Sequence, residues 1–351
     1  MAISRTAAGR KVTVLEVARC AKVSQASVYA ALNPGKQTTI GISDETRQRV
    51  LRVAHELGYV RNDLARSLVT GRTHTIGVLV HSLQNQYFNA LFNYIDDSCS
   101  RDGYTVFIAN SEFDSEREAR GLRAFLSRRI DGLIIARDPM HRTDDLLERL
   151  ADQGTPIVTL GELGPDVRYP NVTFDEVLGH RLAAEHLYRA GHRRVMYFNA
   201  GKARGSNLPI HANRQRYFAE AWQAIGGELA FFETADAIHG GNELGEHVAL
   251  LPEHRRPTAV ACSNDRLAIS LMAGLAVQKI TVPDQLAVIG YDDIEAAAEQ
   301  KTPLTTVRLS VEDQARVAWE LLKKGLSGAE ADDQPAENVV LEPRLIVRES
   351  A

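Results

Sequence analysis

The 351-residue chain is expected to be an α/β protein with a small helical head and a large body of two similar α/β subdomains. Three observations carry that expectation. The first seventy residues hold three short amphipathic segments, two of them separated by a tight turn. From Thr75 onward, short apolar stretches alternate with amphipathic helical ones, the pattern of strands buried in parallel sheets. Charge divides at the same place. Residues 1–72 hold 12 Lys+Arg against 5 Asp+Glu, a balance of +7, whereas 73–351 hold 29 against 40, or −11. A basic head on an acidic body suits a protein whose head meets phosphates.

Composition removes several classes. With 44% hydrophobic and 25% charged residues, the chain has the make-up of an ordinary soluble protein. Cys20, Cys99 and Cys262 are widely spaced and odd in number, so neither a disulfide framework nor a metal-ligand cluster is expected. The opening "MAISRTAAGRKVTV" lacks the apolar core of a signal peptide, and no apolar run reaches membrane-spanning length. A cytoplasmic location is the expectation.

In the head, Thr13 and Glu16 form a capping box that opens a helix at "VLEVARCA", with Leu15 and Ala18 on its apolar face. Ser24 caps a second helix over 25–32, and Asn33-Pro34-Gly35 ends it. "Ser43-Asp44-Glu45-Thr46" opens a third, whose Val50, Val53, Ala54 and Leu57 recur at helical spacing and whose C-terminal turn falls on Gly58. Two short helices around a tight turn form a helix-turn-helix, although a plain three-helix bundle would share the pattern. Asn62 can cap a further helix at 63–69, too short to stand alone.

In the body, strands are expected at 75–80, 104–110, 131–136, 156–160, 171–174, 194–199, 229–234, 258–263 and 286–291, with a last strand near the C-terminus. Helices are expected at 87–101, 115–128, 176–190, 213–225, 265–278 and 311–324. Ligands of such sheets bind beyond the carboxyl ends of the strands. That rule selects "HSLQNQYF" after 75–80, the long "AGKARGSNLPIHANRQR" after 194–199, Ser263-Asn264-Asp265, and Asp292-Asp293. Asp292 can accept from two hydroxyls, Arg214 donates through a planar fork, and Asn264 does both. Tyr87 or Phe88 offers a flat wall for a sugar face or a base. Asp265 serves equally well as a helix cap or a ligand contact.

The run "VTVLEVARCAKVSQASVYAALN…ISDETRQRVLRVAHELGYVRNDLARSLVTGRTHTIGVLV", continued to "LEPRLIVRES", resembles the lactose-repressor (LacI/GalR) family of transcription regulators over nearly the whole chain. The resemblance implies a helix-turn-helix head (1–61), a hinge helix and linker (62–73), and a type I periplasmic-binding-protein-like effector domain (74–347). That domain would comprise two Rossmann-like subdomains, one of about 74–173 and 305–330, the other of about 174–304 and 331–347. DNA contacts are implied at Thr13, Ser24, Gln25, Ala26, Ser27, Tyr29, Ala30 and Asn33, with Gln25, Ala26, Ser27, Tyr29 and Ala30 exposed on the recognition helix. In the hinge they are implied at Asn62, Ala65 and Leu68, the leucine acting as a wedge in the minor groove. Effector contacts are implied at Tyr87, Phe88, Arg214, Asn264 and Asp292.

Departures from the family pattern stand at Lys22, where a turn glycine is common, at Arg61, at Ala30, at Gly161, and in the insertion "GKQTTIG". A left-handed lysine at 22 would cost about 1–2 kcal/mol. Lys202, Arg204 and His211 raise an anionic effector as an alternative to simple solvated loop charge. No nucleophile, base and orienting group share a segment, and no HExxH, GxSxG or P-loop pattern occurs, so neither catalysis nor a cofactor is expected. The expectation is a homodimeric, effector-controlled repressor on a near-palindromic operator, with a sugar, sugar acid or sugar phosphate as effector. A solute-binding module without a DNA role is the competing reading.

Overall fold

The computed structural model describes residues 12–32, 41–59, 71–137, 143–163, 168–200, 209–235, 240–328 and 336–351, apart from the side chains of 209 and 211. Two compact units divide at Arg72 and Thr73.

In the head, α1 (Val14–Ala21), α2 (Gln25–Leu32) and α3 (Asp44–Glu56) enclose Val17, Ala18, Ala21, Val28, Ala31, Val50 and Ala54. The Thr13–Glu16 capping box is formed in both directions. Lys22 ends α1 in the left-handed region (φ 54°, ψ 48°), and Val23 N–H donates to the Ala18 carbonyl at 3.0 Å. That geometry turns the chain sharply enough to start α2 two residues later. Ser24 Oγ then accepts from Ser27 N–H at 3.1 Å. Gly58, at φ +66°, follows α3, and Tyr59 N–H reaches back to the Ala54 carbonyl at 2.8 Å. On α3, Arg47 Nη1 donates to the carbonyls of Ala30 and Ala31 and Arg49 Nε to that of Ala21, tying the C-terminal ends of α2 and α1. One expectation is corrected: Leu15 is exposed, and Val17, Ala18 and Ala21 are the side chains that α1 buries. The α1 stripe faces both other helices, which moves it round from Leu15.

Among the described residues the body holds twelve strands: β1 (Thr75–Val80), β2 (Thr105–Asn110), β3 (Gly132–Ala136), β4 (Ile157–Leu160), β5 (Asn171–Phe174), β6 (Arg194–Ala200), β7 (Glu228–Thr234), β8 (Ala259–Cys262), β9 (Ala287–Asp292), β10 (Thr305–Arg308), β11 (Asn338–Leu341) and β12 (Arg344–Ile346). They form two six-stranded sheets, ordered β11-β5-β4-β3-β1-β2 and β12-β10-β9-β8-β6-β7. All pairings are parallel except β10 with β12. Strands β1, β3, β4, β8 and β9 are buried on both faces, so they read as unbroken apolar runs.

The subdomain limits need correction. Thr305–Arg308 pairs with β9 in the second sheet and Asn338–Leu341 with β5 in the first, each on the sheet opposite to expectation, whereas Arg344–Ile346 pairs with β10 in the second. Only helix Val311–Leu326 from that region packs on the first sheet, through Ala315, Ala318, Trp319 and Leu322. "TTVR" and "NVVL" are equally good short strands, so their partners are chosen by long-range pairing alone. The chain thus crosses between the sheets after β5, after β10 and between β11 and β12.

Within the second unit, helices Gly240–Leu250 and Asp265–Val277 meet backbone to backbone. A Cβ on Gly241 would lie 2.0 Å from the Ser270 carbonyl carbon, so only glycine permits this approach.

Candidate DNA-reading surface and effector site

On the head, α2 is packed by both other helices, and this narrows what it can offer outward. Gln25, Ala26 and Tyr29 are exposed, and Ser27 is half-exposed with its hydroxyl 2.9 Å from that of Ser24. Ala30, expected on the exposed face, is buried at 3% exposure beside Val28 and Ala31. Its carbonyl accepts from Arg47 of α3, and a methyl so buried presents nothing to a base edge. Thr13 is exposed, with its hydroxyl held in the capping box against Glu16. Asn33, Asn62, Ala65 and Leu68, with Lys36 and Arg61, lie outside the described residues.

In the body, the C-terminal ends of the second sheet's strands gather a buried charged cluster around Arg214, on helix Pro209–Ile225. Arg214 Nε and Nη2 grip Glu176 through both carboxylate oxygens, at 3.1 and 3.0 Å. Its Nη1 donates to the Ser263 carbonyl at 2.8 Å and to Asp292 Oδ1 at 3.2 Å. The guanidinium lies over the Tyr291 ring at 4.3 Å, and His180 stacks on the same tyrosine at 4.5 Å. Glu176 reaches this position because Asp175 caps its helix, Glu176–Arg189, by accepting from Leu178 N–H at 2.8 Å. Asp292 closes β9 with φ at 112°, a conformation strained for any residue with a side chain.

These groups set one another's protonation. Burial pushes Asp292 up to about 6, with Arg214 opposing. Burial also raises Glu176, but Arg214 and His180 overcome it and hold the carboxyl below its ordinary value. His180 is driven down to about 4 by burial, although Glu176 pulls the other way. Arg214 rises well above its ordinary value: burial would lower it, but Glu176 and Asp292 outweigh that.

Asn264 is half-buried, and its Oδ1 caps helix Asp265–Val277 by accepting from Leu267 N–H at 2.9 Å. Its amide nitrogen has no protein partner among the described residues. Asp265 fills neither role considered for it. It is fully buried, accepting from Ile294 N–H at 2.9 Å and Thr306 Oγ1 at 2.6 Å. It braces the turn after β9.

Tyr87, on helix Gln86–Arg101, lies beside the first sheet and donates to Gln314 Oε1 at 2.8 Å. It packs against the cores of both sheets, and burial together with the charge of Asp292 raises its hydroxyl. Phe88 lies edge-on to the Tyr87 ring at 5.1 Å and to His81 at 5.4 Å, while His81 stacks on Phe113 at 4.8 Å beyond the ends of β1 and β2. A second link between the two sheets of the body is Glu162, after β4, which accepts from Asn213 Nδ2 at 3.1 Å and from the Tyr217 hydroxyl.

Arg214, Asp292 and Tyr87 are thus brought into one neighbourhood, with Asn264 at its edge and Phe88 joined to it through the Tyr87 ring. Glu176, His180, Tyr291 and Glu162 were missed from sequence. Glu176 and Glu162 directly follow strand ends, so the same rule that found Asp292 could have found them. His180 and Tyr291 carried no such signal. The positively charged loop of Lys202 and Arg204, and the His211 side chain, lie outside the described residues. No group of three His, Cys, Asp or Glu suited to a metal occurs among the described residues, and no helix is long and apolar enough to cross a membrane.

Comparison with known proteins gives two family matches: "Bacterial regulatory proteins, lacI family" over residues 13–62 and "Periplasmic binding protein-like domain" over 184–351. Among curated relatives, the HTH-type transcriptional repressor PurR of Mannheimia succiniciproducens is 28% identical over 344 residues, spanning 96% of this chain and 98% of that protein. Among solved structures, a LacI family transcriptional regulator from Lactobacillus casei with bound sucrose is 32% identical, with a TM-score of 0.66, over 79% of this chain and 99% of that one. The lac repressor dimer bound to operator and the anti-inducer ONPF shares the fold at TM-score 0.79 and 23% identity, over 97% of this chain and 99% of that one.

Proposed function

This chain belongs to the LacI family of bacterial regulatory proteins, and we propose that it is a DNA-binding repressor whose hold on its operator is set by a small molecule bound in the body. The observation that carries the DNA-reading half is the narrow exposed strip of Gln25, Ala26 and Tyr29 on a helix braced from two sides. A helix so braced can enter a major groove as a rigid body. Gln25 can pair with an adenine edge, Ala26 can meet a thymine methyl, and Tyr29 reaches a phosphate or a methyl. Thr13, Ser24, Ser27 and Asn33 position the backbone of the head, while Asn62, Ala65 and Leu68 act in the hinge, where the leucine opens the central base step. Two copies, each on one half-site, match a near-palindromic operator. Such a protein works in the cytoplasm, beside the DNA.

The effector site is the neighbourhood of Arg214, Asp292, Asn264 and Tyr87, with Phe88 on its first-sheet side. A ligand touching both sheets of the body changes how the two subdomains close, and closure and DNA affinity are then coupled reciprocally. A sugar or sugar derivative fits the carboxylate and amide. The stacked His81–Phe113 pair and neighbouring Phe88 favour a second reading, a planar heterocycle such as a purine.

Selection of fragments from a random DNA pool by the full-length protein tests the proposal. Enrichment of a palindrome with a flexible central step is expected. A pool that stays unenriched, with and without metabolite extract, would refute the repressor reading.

A further inference from the structure

Arg214 is the cation to which an acidic ligand would be drawn in this site, and it is already occupied. A guanidinium carries five N–H groups. Four of them are engaged: Nε and one hydrogen of Nη2 with Glu176, and both hydrogens of Nη1 with the Ser263 carbonyl and Asp292. The charge is balanced twice over, by Glu176 and by Asp292, in a pocket where the three side chains are 8–10% exposed. His180 does not restore the balance, since burial leaves its ring neutral at neutral pH. At the first sheet's strand ends, Arg137 is already paired with Asp144, and Glu112 and Glu162 are acids. Asp292 Oδ2 has no hydrogen-bond partner among the described residues, so it remains an acceptor for hydroxyl or amine hydrogens.

We propose that Glu176 sets the charge class of the effector: with the Arg214 charge balanced by two carboxylates, the site admits an uncharged molecule that donates hydrogen bonds to Asp292, and it turns away phosphorylated or carboxylated ones. This rests on the reading of the Arg214 cluster as the effector site. Glu176 acts through Arg214 and is a positioning residue. A sugar and a heterocyclic base both satisfy the condition; a sugar phosphate, a sugar acid or a nucleotide does not. The unfavourable element is as important as the favourable one, because an incoming anion must approach two carboxylates with no unpaired cation among the described residues to meet it.

Isothermal titration of the full-length protein with inorganic phosphate and with glucose 6-phosphate tests the proposal. The wild type is expected to bind neither. Glu176→Gln keeps the shape but frees the guanidinium charge, and should bind phosphate at least about tenfold more tightly than the wild type. Adding Arg214→Gln to that variant should remove the gain, whereas Glu176→Asp, which keeps the carboxylate, should still exclude both anions. A purely structural role for Glu176 would give loss of binding, never a gain. Two results overturn the proposal: Arg214-dependent binding of either anion by the wild type, or a folded Glu176→Gln that gains no affinity for them. The wild-type titration decides even if Glu176→Gln fails to fold. DNA selection is read separately and without ligand, so failure of the repressor reading would leave the titration's answer standing.

Discussion

Replacing His180 by glutamine should expose a pH dependence of folding that the wild-type body conceals. Burial takes the imidazole from 6.5 to about 4. Below pH 6.5 the unfolded chain therefore takes up a proton that the folded one refuses. The stabilisation this provides is complete above 6.5 and is lost as pH falls toward 4. Asp292 behaves in the opposite sense, because burial raises it from 3.8 to about 6. The folded state then holds a proton that the unfolded state lacks, so its contribution is complete below 3.8 and is lost as pH rises toward 6. At roughly 1.4 kcal/mol per pH unit, each group moves stability by about 2–3 kcal/mol between pH 4.5 and 6.5, with opposite signs. The two contributions are similar in size and opposite in sign, so they nearly cancel in the wild type.

His180→Gln should remove one side of that balance. Relative to the wild type, its stability should fall by about 2–3 kcal/mol as pH rises from 4.5 to 6.5, and Asp292→Asn should show the reverse slope. Other titrating groups are common to all three proteins and cancel in the difference. The chain has two tryptophans, and Trp222 is fully buried in the second unit's core, so urea unfolding followed by Trp222 emission in a Trp319→Phe background reports on this unit. A His180→Gln difference curve that is flat, or that slopes upward with pH, would refute the reasoning.

On the head, Gln25→Ala should relax discrimination at one operator base pair by about 1–3 kcal/mol, read by competition between matched and substituted operators. Ala30→Arg, as a design for an added base contact, should instead lower the head's melting temperature, because residue 30 is buried and overpacking costs about 1–3 kcal/mol. Lys22→Gly should raise that melting temperature by relieving about 1 kcal/mol of left-handed strain while leaving operator preference unchanged. In the body, Gly241→Ala should destabilise the second unit by about 3 kcal/mol or more, since the new methyl meets the backbone of Ser270; urea midpoints would read the change.

Much of this protein is legible in sequence because its signals are local. A capping box needs only Thr13 and Glu16 three residues apart, and a helix stop needs only Gly58 where a left-handed turn is required. Buried parallel strands need only an unbroken apolar run such as Thr75–Val80, and its end points outward to a ligand. The helix-turn-helix, the alternating strands and helices, and Arg214 and Asp292 were all within reach of such signals. Tertiary structure decided what depends on contact between distant residues. Leu15 and Ala30 exchanged expected places with the core once α1 and α3 had closed on α2. Thr305–Arg308 and Asn338–Leu341 took the sheets opposite to expectation, because similar short strands find their partners only by pairing across the fold. The charge state of the site was settled the same way: Glu176, thirty-eight residues before Arg214, meets it only after helix capping and sheet order have set both in place. Composition reveals that acids and bases are present. Which of them neutralise one another, and what charge is left for a ligand, is a property of distances and burial, and the linear order of residues does not contain it.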